Sequence, residues 1–306
     1  MARWYSTVFA VSVRSLAKNY GSKPALAGVD LEIAPGAIFG LVGPNGAGKT
    51  TLLSILAGLK APTSGTFSLG PDGTGIGFMP DTPTYYPWLT GPELLDYAAR
   101  LRSIKIDDSE ISWRMAQVGL SQVGPGDQTK IGDYSRGMRQ RLAMAATLLG
   151  DPPVLLLDEP CSALDPAGRV EVLDIISSLA GRATVIFSTH LLSDVERVCD
   201  SVAMLDRGRV IMAGPIEAIR QYGAAPGFRL ALDFDDQGLI AEISRYPWFA
   251  GVVAGKPGYY TVTVTDFETA RRDLLQLIVT RSVPLIEFAR ADPSLEEVFL
   301  KVLAPR

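Results

Sequence analysis

An α/β fold with a parallel sheet is expected for most of this chain, followed by a small α+β module. Two observations point to it. Ala37–Val42 is a continuous apolar run that empties into a glycine-rich turn and then into helically spaced leucines. Further apolar runs at Val154–Leu157, Val185–Ser188 and Val202–Leu205 alternate with segments of helical period. A run buried on both faces belongs in a parallel sheet, and strand–loop–helix is its opening unit.

Taken in order, Val11–Val13 and Val29–Ile33 alternate apolar with polar residues, as half-buried strands do. Lys49 to Leu59 carries Leu52, Leu53, Ile55, Leu56 and Leu59 at helical spacing. From about Leu89 to Gly150 the pattern is mostly helical. Thr90-Gly91-Pro92-Glu93 reads as a capping box for a helix running towards Leu101. Around Tyr222–Gly227 the composition shifts, with Gly223, Pro226 and Gly227 between periodic segments, a boundary signal. Beyond it the expected order is strand Phe228–Phe234, helix Leu239–Tyr246, strands Gly251–Gly255 and Tyr260–Val264, helix Thr269–Arg281, strand Leu285–Ala289, and a helix from Ser294. That is a βαββαβ module. The expected domains are thus 1–222, with a helical subdomain about 89–150, and 223–306.

The 306 residues are 47% apolar and 20% charged, a globular balance, and the formal net charge is −4. Nucleic-acid binders usually present a basic face, so no nucleic-acid partner is expected. Cys161 and Cys199 have no metal-ligand spacing around them and read as small packing residues. Met1–Ala10 does not read as a secretory signal, and no stretch reaches the roughly 18 apolar residues of a spanning helix. A cytoplasmic protein is expected, with any membrane role supplied by a partner.

Gly43-Pro44-Asn45-Gly46-Ala47-Gly48-Lys49-Thr50 fits G-x-x-x-x-G-K-[ST], the P-loop. Glycines let backbone amides turn inward on a polyphosphate, and the helix N-terminus adds its dipole. Lys49 is placed for the β- and γ-phosphates and the Thr50 hydroxyl for Mg²⁺, with Thr51 next to it in the cradle. Val154–Glu159 is an apolar strand ending in two carboxylates, the Walker B arrangement. There Asp158 would hold Mg²⁺ and Glu159 would polarise the attacking water. ATP and Mg²⁺ are the expected substrate and cofactor.

The segment Tyr134-Ser135-Arg136-Gly137-Met138-Arg139-Gln140-Arg141 stands just before that strand and opens a helix. It resembles the LSGGQ signature of the ABC ATPase family. Ser135 and Gly137 match; Arg136 and Met138 depart from the consensus, as is common in the ABC-2-type exporter branch. The resemblance covers roughly residues 8 to 220. It implies a P-loop NTPase core of the ABC ATPase type, with an antiparallel β subdomain and a helical subdomain. Ser162-Ala163-Leu164-Asp165 looks like the D-loop, and His190, the sole histidine, looks like the H-switch that contacts the γ-phosphate. Tyr20 looks like the aromatic that stacks on adenine, a core tyrosine being the competing reading. Gly77–Asp81 falls where the family places its Q-loop, with Asp81 replacing glutamine as a metal-shell candidate. Pro293–Phe299 resembles the end of the accessory domain in ABC-2-type exporter ATPases.

The resemblance implies an ATP-hydrolysing subunit that drives solute export through a separate integral membrane permease, held at the inner face of the cell membrane. Two copies, or this chain and a paralogue, would bury ATP between them. Ser135 and Gly137 would then cap the γ-phosphate held by the other subunit. Tyr85, Tyr86, Pro87 and Trp88, within Asp81–Arg102, read either as a groove for a partner helix or as packing of the helical subdomain. The alternative function is an ABC ATPase acting on a macromolecular complex, and a third reading is a non-catalytic regulatory module. The family's ribosomal kind has tandem cores and its DNA kind long coiled-coil insertions, which this sequence lacks; Lys49, Asp158, Glu159 and His190 together argue for catalysis.

Overall fold

The computed structural model describes residues 9–70, 75–221, 226–291 and 294–303. The chain separates into two compact units, Met1–Ile216 and Glu217–Arg306. Of the expected boundary, positions 222–225 lie outside the described residues, as does Pro293 of the terminal motif.

The first unit opens with an antiparallel hairpin, β1 (Val11–Tyr20) and β2 (Lys23–Ile33), reaching well beyond the expected short strands. Ladder pairing carries residues 14–20 along although their own alternation is weak. Together with β3 (Ile38–Val42), α1 (Lys49–Leu56) and β4 (Ser64–Leu69), this hairpin lays down the first layers. β1 takes β4 on its other edge, giving a three-stranded antiparallel sheet. Leu52, Leu53, Ile55 and Leu56 of α1 are buried, but the helix stops at Leu56 and Leu59 is exposed.

The second sheet has six strands. Besides β3 they are β5 (Ile76–Met79), β6 (Val154–Asp158), β7 (Thr184–Thr189), β8 (Ser201–Asp206) and β9 (Arg209–Pro215), in the order β5-β6-β7-β3-β8-β9. All neighbours are parallel except β8 and β9. Every residue of β3, β6 and β7 is buried, which is why they read as unbroken apolar runs. β4, β5 and β9, each at a sheet edge, are not among the strands expected from the sequence.

Between β5 and β6 lie α2 (Gly91–Leu101), α3 (Asp108–Gln117) and α4 (Arg136–Thr147). The capping box of α2 is formed in full: Thr90 N–H donates to Glu93 Oε2 at 2.7 Å, and Glu93 N–H donates to Thr90 Oγ1 at 3.3 Å. After β6 come α5 (Pro166–Ser178) and α6 (Leu192–Val198), while α7 (Ile216–Gln221) starts at the last residue of the first unit and continues in the second.

The second unit runs β10 (Gly227–Leu232), α8 (Gln237–Ile243), β11 (Phe249–Ala254), β12 (Tyr259–Val264), α9 (Phe267–Thr280), β13 (Leu285–Arg290) and α10 (Leu295–Leu303). This is the expected βαββαβ order plus a last helix. Its sheet, β11-β12-β10-β13, is antiparallel throughout. Phe228, Leu230, Val262 and Val264 from the sheet meet Leu239, Ile243, Leu274 and Leu277 from the helices in one core. Among the described residues, no helix is long and apolar enough to cross a membrane.

Candidate active site

Parallel strands bring their C-terminal ends to one edge of a sheet, where loops can converge on a ligand. β3, β6 and β7 are neighbours, so their exits at Gly43, Glu159 and His190 meet there.

The turn after β3 is tightly held. A Cβ on Gly43 would lie 2.2 Å from the Leu205 carbonyl oxygen, so nothing larger fits. Gly48, at φ +112°, brings the chain into α1 through a conformation open to glycine, and a Cβ there would meet Ala25 O at 2.7 Å. Gly208 N–H donates to Ala47 O at 2.8 Å and ties the turn down from the β8–β9 connection. Pro44, Asn45, Gly46 and Thr50 are exposed at the mouth, Thr51 is half-buried and Ala47 is buried.

Lys49 opens α1 and is buried. Its Nζ donates to Gly43 O at 2.7 Å and Pro44 O at 3.3 Å, and lies 3.6 Å from Glu159 Oε1. The second oxygen of Glu159 is 3.0 Å from His190 Nδ1. The structure therefore brings together Lys49 with Glu159, over a hundred positions on, and His190, 31 further still.

Asp158 is 1% exposed at the end of β6. Ser188 Oγ donates to its Oδ1 at 2.6 Å and accepts from Glu159 N–H at 2.9 Å. Asp158 Oδ2 is buried with no protein partner. An orphaned carboxylate oxygen in such a place is costly unless something cationic or protic reaches it. A hard cation satisfies this atom, so the residues present fit Mg²⁺.

Three polar residues that sequence reasoning missed brace the same edge. Ser188 joins the two carboxylate positions, as above. Gln140 on α4, 3% exposed, donates from Nε2 to the carbonyls of Glu159 and Pro160 at 3.3 and 3.1 Å. Asp194 on α6, equally buried, pairs with Arg169 of α5 and stands 3.5 Å from Thr189 Oγ1, which in turn accepts from Leu191 N–H. A polar residue inside a buried apolar strand, as Ser188 is, was the available signal.

The other expected residues lie around this cluster. Tyr20, at the end of β1, is 48% exposed, which removes the core-tyrosine reading. Lys18 and Lys60 hold their ammonium groups 5.4 and 5.6 Å from its ring. Its hydroxyl titrates below the usual range, chiefly through a hydrogen bond with Lys60. Ser135 is exposed and caps α4, accepting from Met138 N–H at 3.1 Å. A Cβ on Gly137 would come within 3.4 Å of Leu164, so the start of α4 sits beside the turn after β6. Asp81 is exposed and accepts from Ser162 Oγ at 3.2 Å in that same turn. In the turn, burial pushes the Cys161 thiol up to about 12, with the Asp194 charge adding to it.

Residues 26–162 match the family model described as ABC transporter, and residues 214–303 match that of the ATP-binding protein DrrA1-3-like C-terminal domain. The chain is 37% identical over 299 residues to the ABC transporter ATP-binding protein YxlF of Bacillus subtilis (strain 168), covering 96% of this chain and 99% of that one. It belongs to the ABC transporter ATP-binding proteins. A second member, the daunorubicin resistance ATP-binding protein DrrA3 of Streptomyces coeruleorubidus, is 31% identical over 95% of each chain. Among solved structures, an ATP-binding subunit of an ABC transporter superposes with TM-score 0.62 at 28% identity, over 70% of this chain and 93% of that one. A dimeric ATP-binding cassette in a post-hydrolysis state, bound to ADP and Pi, shares the fold at 24% identity and TM-score 0.59, over 67% of this chain and 98% of that one. As an ABC transporter ATP-binding protein, the chain is an ATP-binding and ATP-hydrolysing subunit of a transporter and uses ATP with Mg²⁺.

Proposed function

We propose that this subunit drives solute export through a separate membrane permease, by ATP-dependent closure of two cassettes and their reopening after hydrolysis. The observation that carries the proposal is the placement of Lys49, Glu159 and His190 around one point beside the orphaned Asp158 oxygen. The reading takes residues 1–222 as the ATPase domain and 223–306 as an accessory domain.

In this reading the backbone of Gly43–Thr51 cradles the phosphates and Tyr20 offers its exposed face to adenine. Lys49 trades its carbonyl partners for the β- and γ-phosphates. Thr50 and Asp158 would hold Mg²⁺, with Asp81 a further candidate for the metal shell. When bound, the cation neutralises charge building on the transferring phosphoryl group. Glu159 orients the attacking water and takes its proton, while His190 steadies the carboxylate and meets the γ-phosphate.

Ser135 and Gly137 are exposed or half-buried at a helix N-terminus, which suits them to the γ-phosphate held by a second subunit. That subunit is another copy or a paralogue. Loss of the γ-phosphate removes the charge bridge and lets the pair open. The exposed rings of Tyr86 and Trp88, 5.2 Å apart, support a permease helix docking near them at the inner membrane face. The DrrA-like C-terminal domain and the drug-resistance relative favour export.

Glu159→Gln should keep ATP bound yet slow turnover by roughly 10²–10⁴-fold, the range for a lost general base. Near-normal steady-state hydrolysis removes Glu159 from that role. In the same background, ATP should produce a dimer on sizing, and Ser135→Arg should abolish it. A dimer peak that persists refutes the assignment of Ser135 to the opposing site.

A further inference from the structure

Glu159 has φ +48°, in the left-handed region that non-glycine residues enter only at an energetic cost. Such a conformation persists only where its surroundings over-determine it. Here both peptide groups of the residue are gripped. The N–H is taken by Ser188 Oγ at 2.9 Å, and the carbonyl accepts from Gln140 Nε2 at 3.3 Å and from Ser162 N–H at 3.1 Å. The same Gln140 amide also reaches the next carbonyl, Pro160 O, at 3.1 Å. Ser188 belongs to the sheet that carries the phosphate turn. Gln140 belongs to α4, five residues beyond its N-cap Ser135.

We propose that Gln140 is a positioning residue for hydrolysis: by clamping the Glu159 and Pro160 carbonyls, it holds the Glu159 carboxylate in its reacting orientation. The inference rests on Glu159 being the base. Its side chain leaves a backbone at a strained φ; without Gln140 the Glu159 carbonyl keeps only its Ser162 N–H bond and the tie from α4 to the Pro160 carbonyl is lost, so the loosened turn lets the carboxylate drift from His190 and from the attacking water. An error of about 1 Å in such a group lowers a rate by up to about 10²-fold. ATP affinity depends on the glycine cradle, Lys49 and Tyr20, which Gln140 does not touch. The link also ties the start of α4 mechanically to the base of the same chain.

The test is a double-mutant cycle on the full chain, with single-turnover MgATP hydrolysis, equilibrium ATP binding and thermal unfolding measured on each variant. Gln140→Met keeps the length and removes the donor. It should lower the hydrolysis rate by roughly 10–10²-fold with ATP affinity within about twofold. In the Glu159→Gln background the same change should alter the rate by no more than about twofold, because its effect runs through the carboxylate already removed. An unchanged rate in Gln140→Met, an equal fold-loss in both backgrounds, or a matching loss of ATP affinity overturns the proposal. If Glu159→Gln alone turns over normally, it is the assignment of the base that fails. Should Gln140→Met not fold, Gln140→Glu, of the same shape but accepting where Gln140 donates, takes its place in the same measurements.

Discussion

The six-stranded sheet of the first unit and the four-stranded sheet of the second use their strands in opposite ways. In the first, β3, β6 and β7 are buried along their whole length and run parallel, so their C-terminal polar residues collect at one end: Asp158, Ser188 and Thr189, with Glu159 and His190 just beyond; Thr184, at the other end of β7, accepts from Gly36 N–H. In the second, strands run antiparallel and β12 alternates buried with half-buried residues from Tyr259 to Val264. One face covers the core under α8 and α9, and polar groups are spread along the sheet. Antiparallel neighbours send successive strand ends to opposite edges, so no shared rim of chemistry forms. A parallel sheet concentrates function; this antiparallel one invests its residues in packing.

That contrast says catalysis should respond to changes in the first unit and only stability to changes in the second. Lys49→Ala removes the cation at the phosphate turn and should cost on the order of 10²–10³-fold in turnover, the scale for losing a charged stabiliser of the transition state. Steady-state hydrolysis checks it. Leu274→Ala opens a cavity in the second core, where Leu274 is fully buried, and should destabilise that unit by about 2–5 kcal/mol in urea unfolding. Turnover at 25 °C should stay within about twofold of the parent; if it falls as far as in Lys49→Ala, the division of labour is wrong.

Ser188→Ala strips the bridge from a buried carboxylate and should lower stability by roughly 1–3 kcal/mol while also slowing hydrolysis. A loss of stability without any loss of rate would make Ser188 a core residue only. Thr90→Ala breaks the capping box of α2 and should cost about 1 kcal/mol with no effect on ATP binding.

The smallest effect is one of pH. The folded thiol of Cys161 sits at about 12 against an ordinary 9, so the folded state keeps its proton where the unfolded chain has released it. The resulting stabilisation is complete below pH 9 and is lost as pH climbs towards 12. The fall in unfolding midpoint between pH 8 and 10.5 should be shallower in Cys161→Ser. Alkylation at pH 8 should be slow until the protein unfolds.

Much of this was legible in the chain alone. The P-loop needs consecutive residues of fixed type, the capping box needs two residues three apart, and buried strands need a run of apolar side chains. Each is a local pattern with a local cause, and Gly43, Lys49, Asp158, Glu159 and Thr90 are found where such patterns put them. The edge strands β4, β5 and β9 are harder to read, because pairing with a neighbour, rather than a sustained pattern of their own, makes them strands. The overlong α1 was a local error too, since the turn at Ala57 and Gly58 ends the helix before the leucine spacing does.

Sequence alone settled the glycine turn, the acid pair and the order of elements in the second unit, since those depend on neighbours a few residues apart. It could not show that Lys49, Glu159 and His190 converge, that Ser188 joins Asp158 to Glu159, or that Gln140 reaches across from α4 to the Glu159 carbonyl. Hydrogen bonds and close ion pairs form through space over about 3–4 Å. Which residues come within that reach is set by the order in which strands lie side by side.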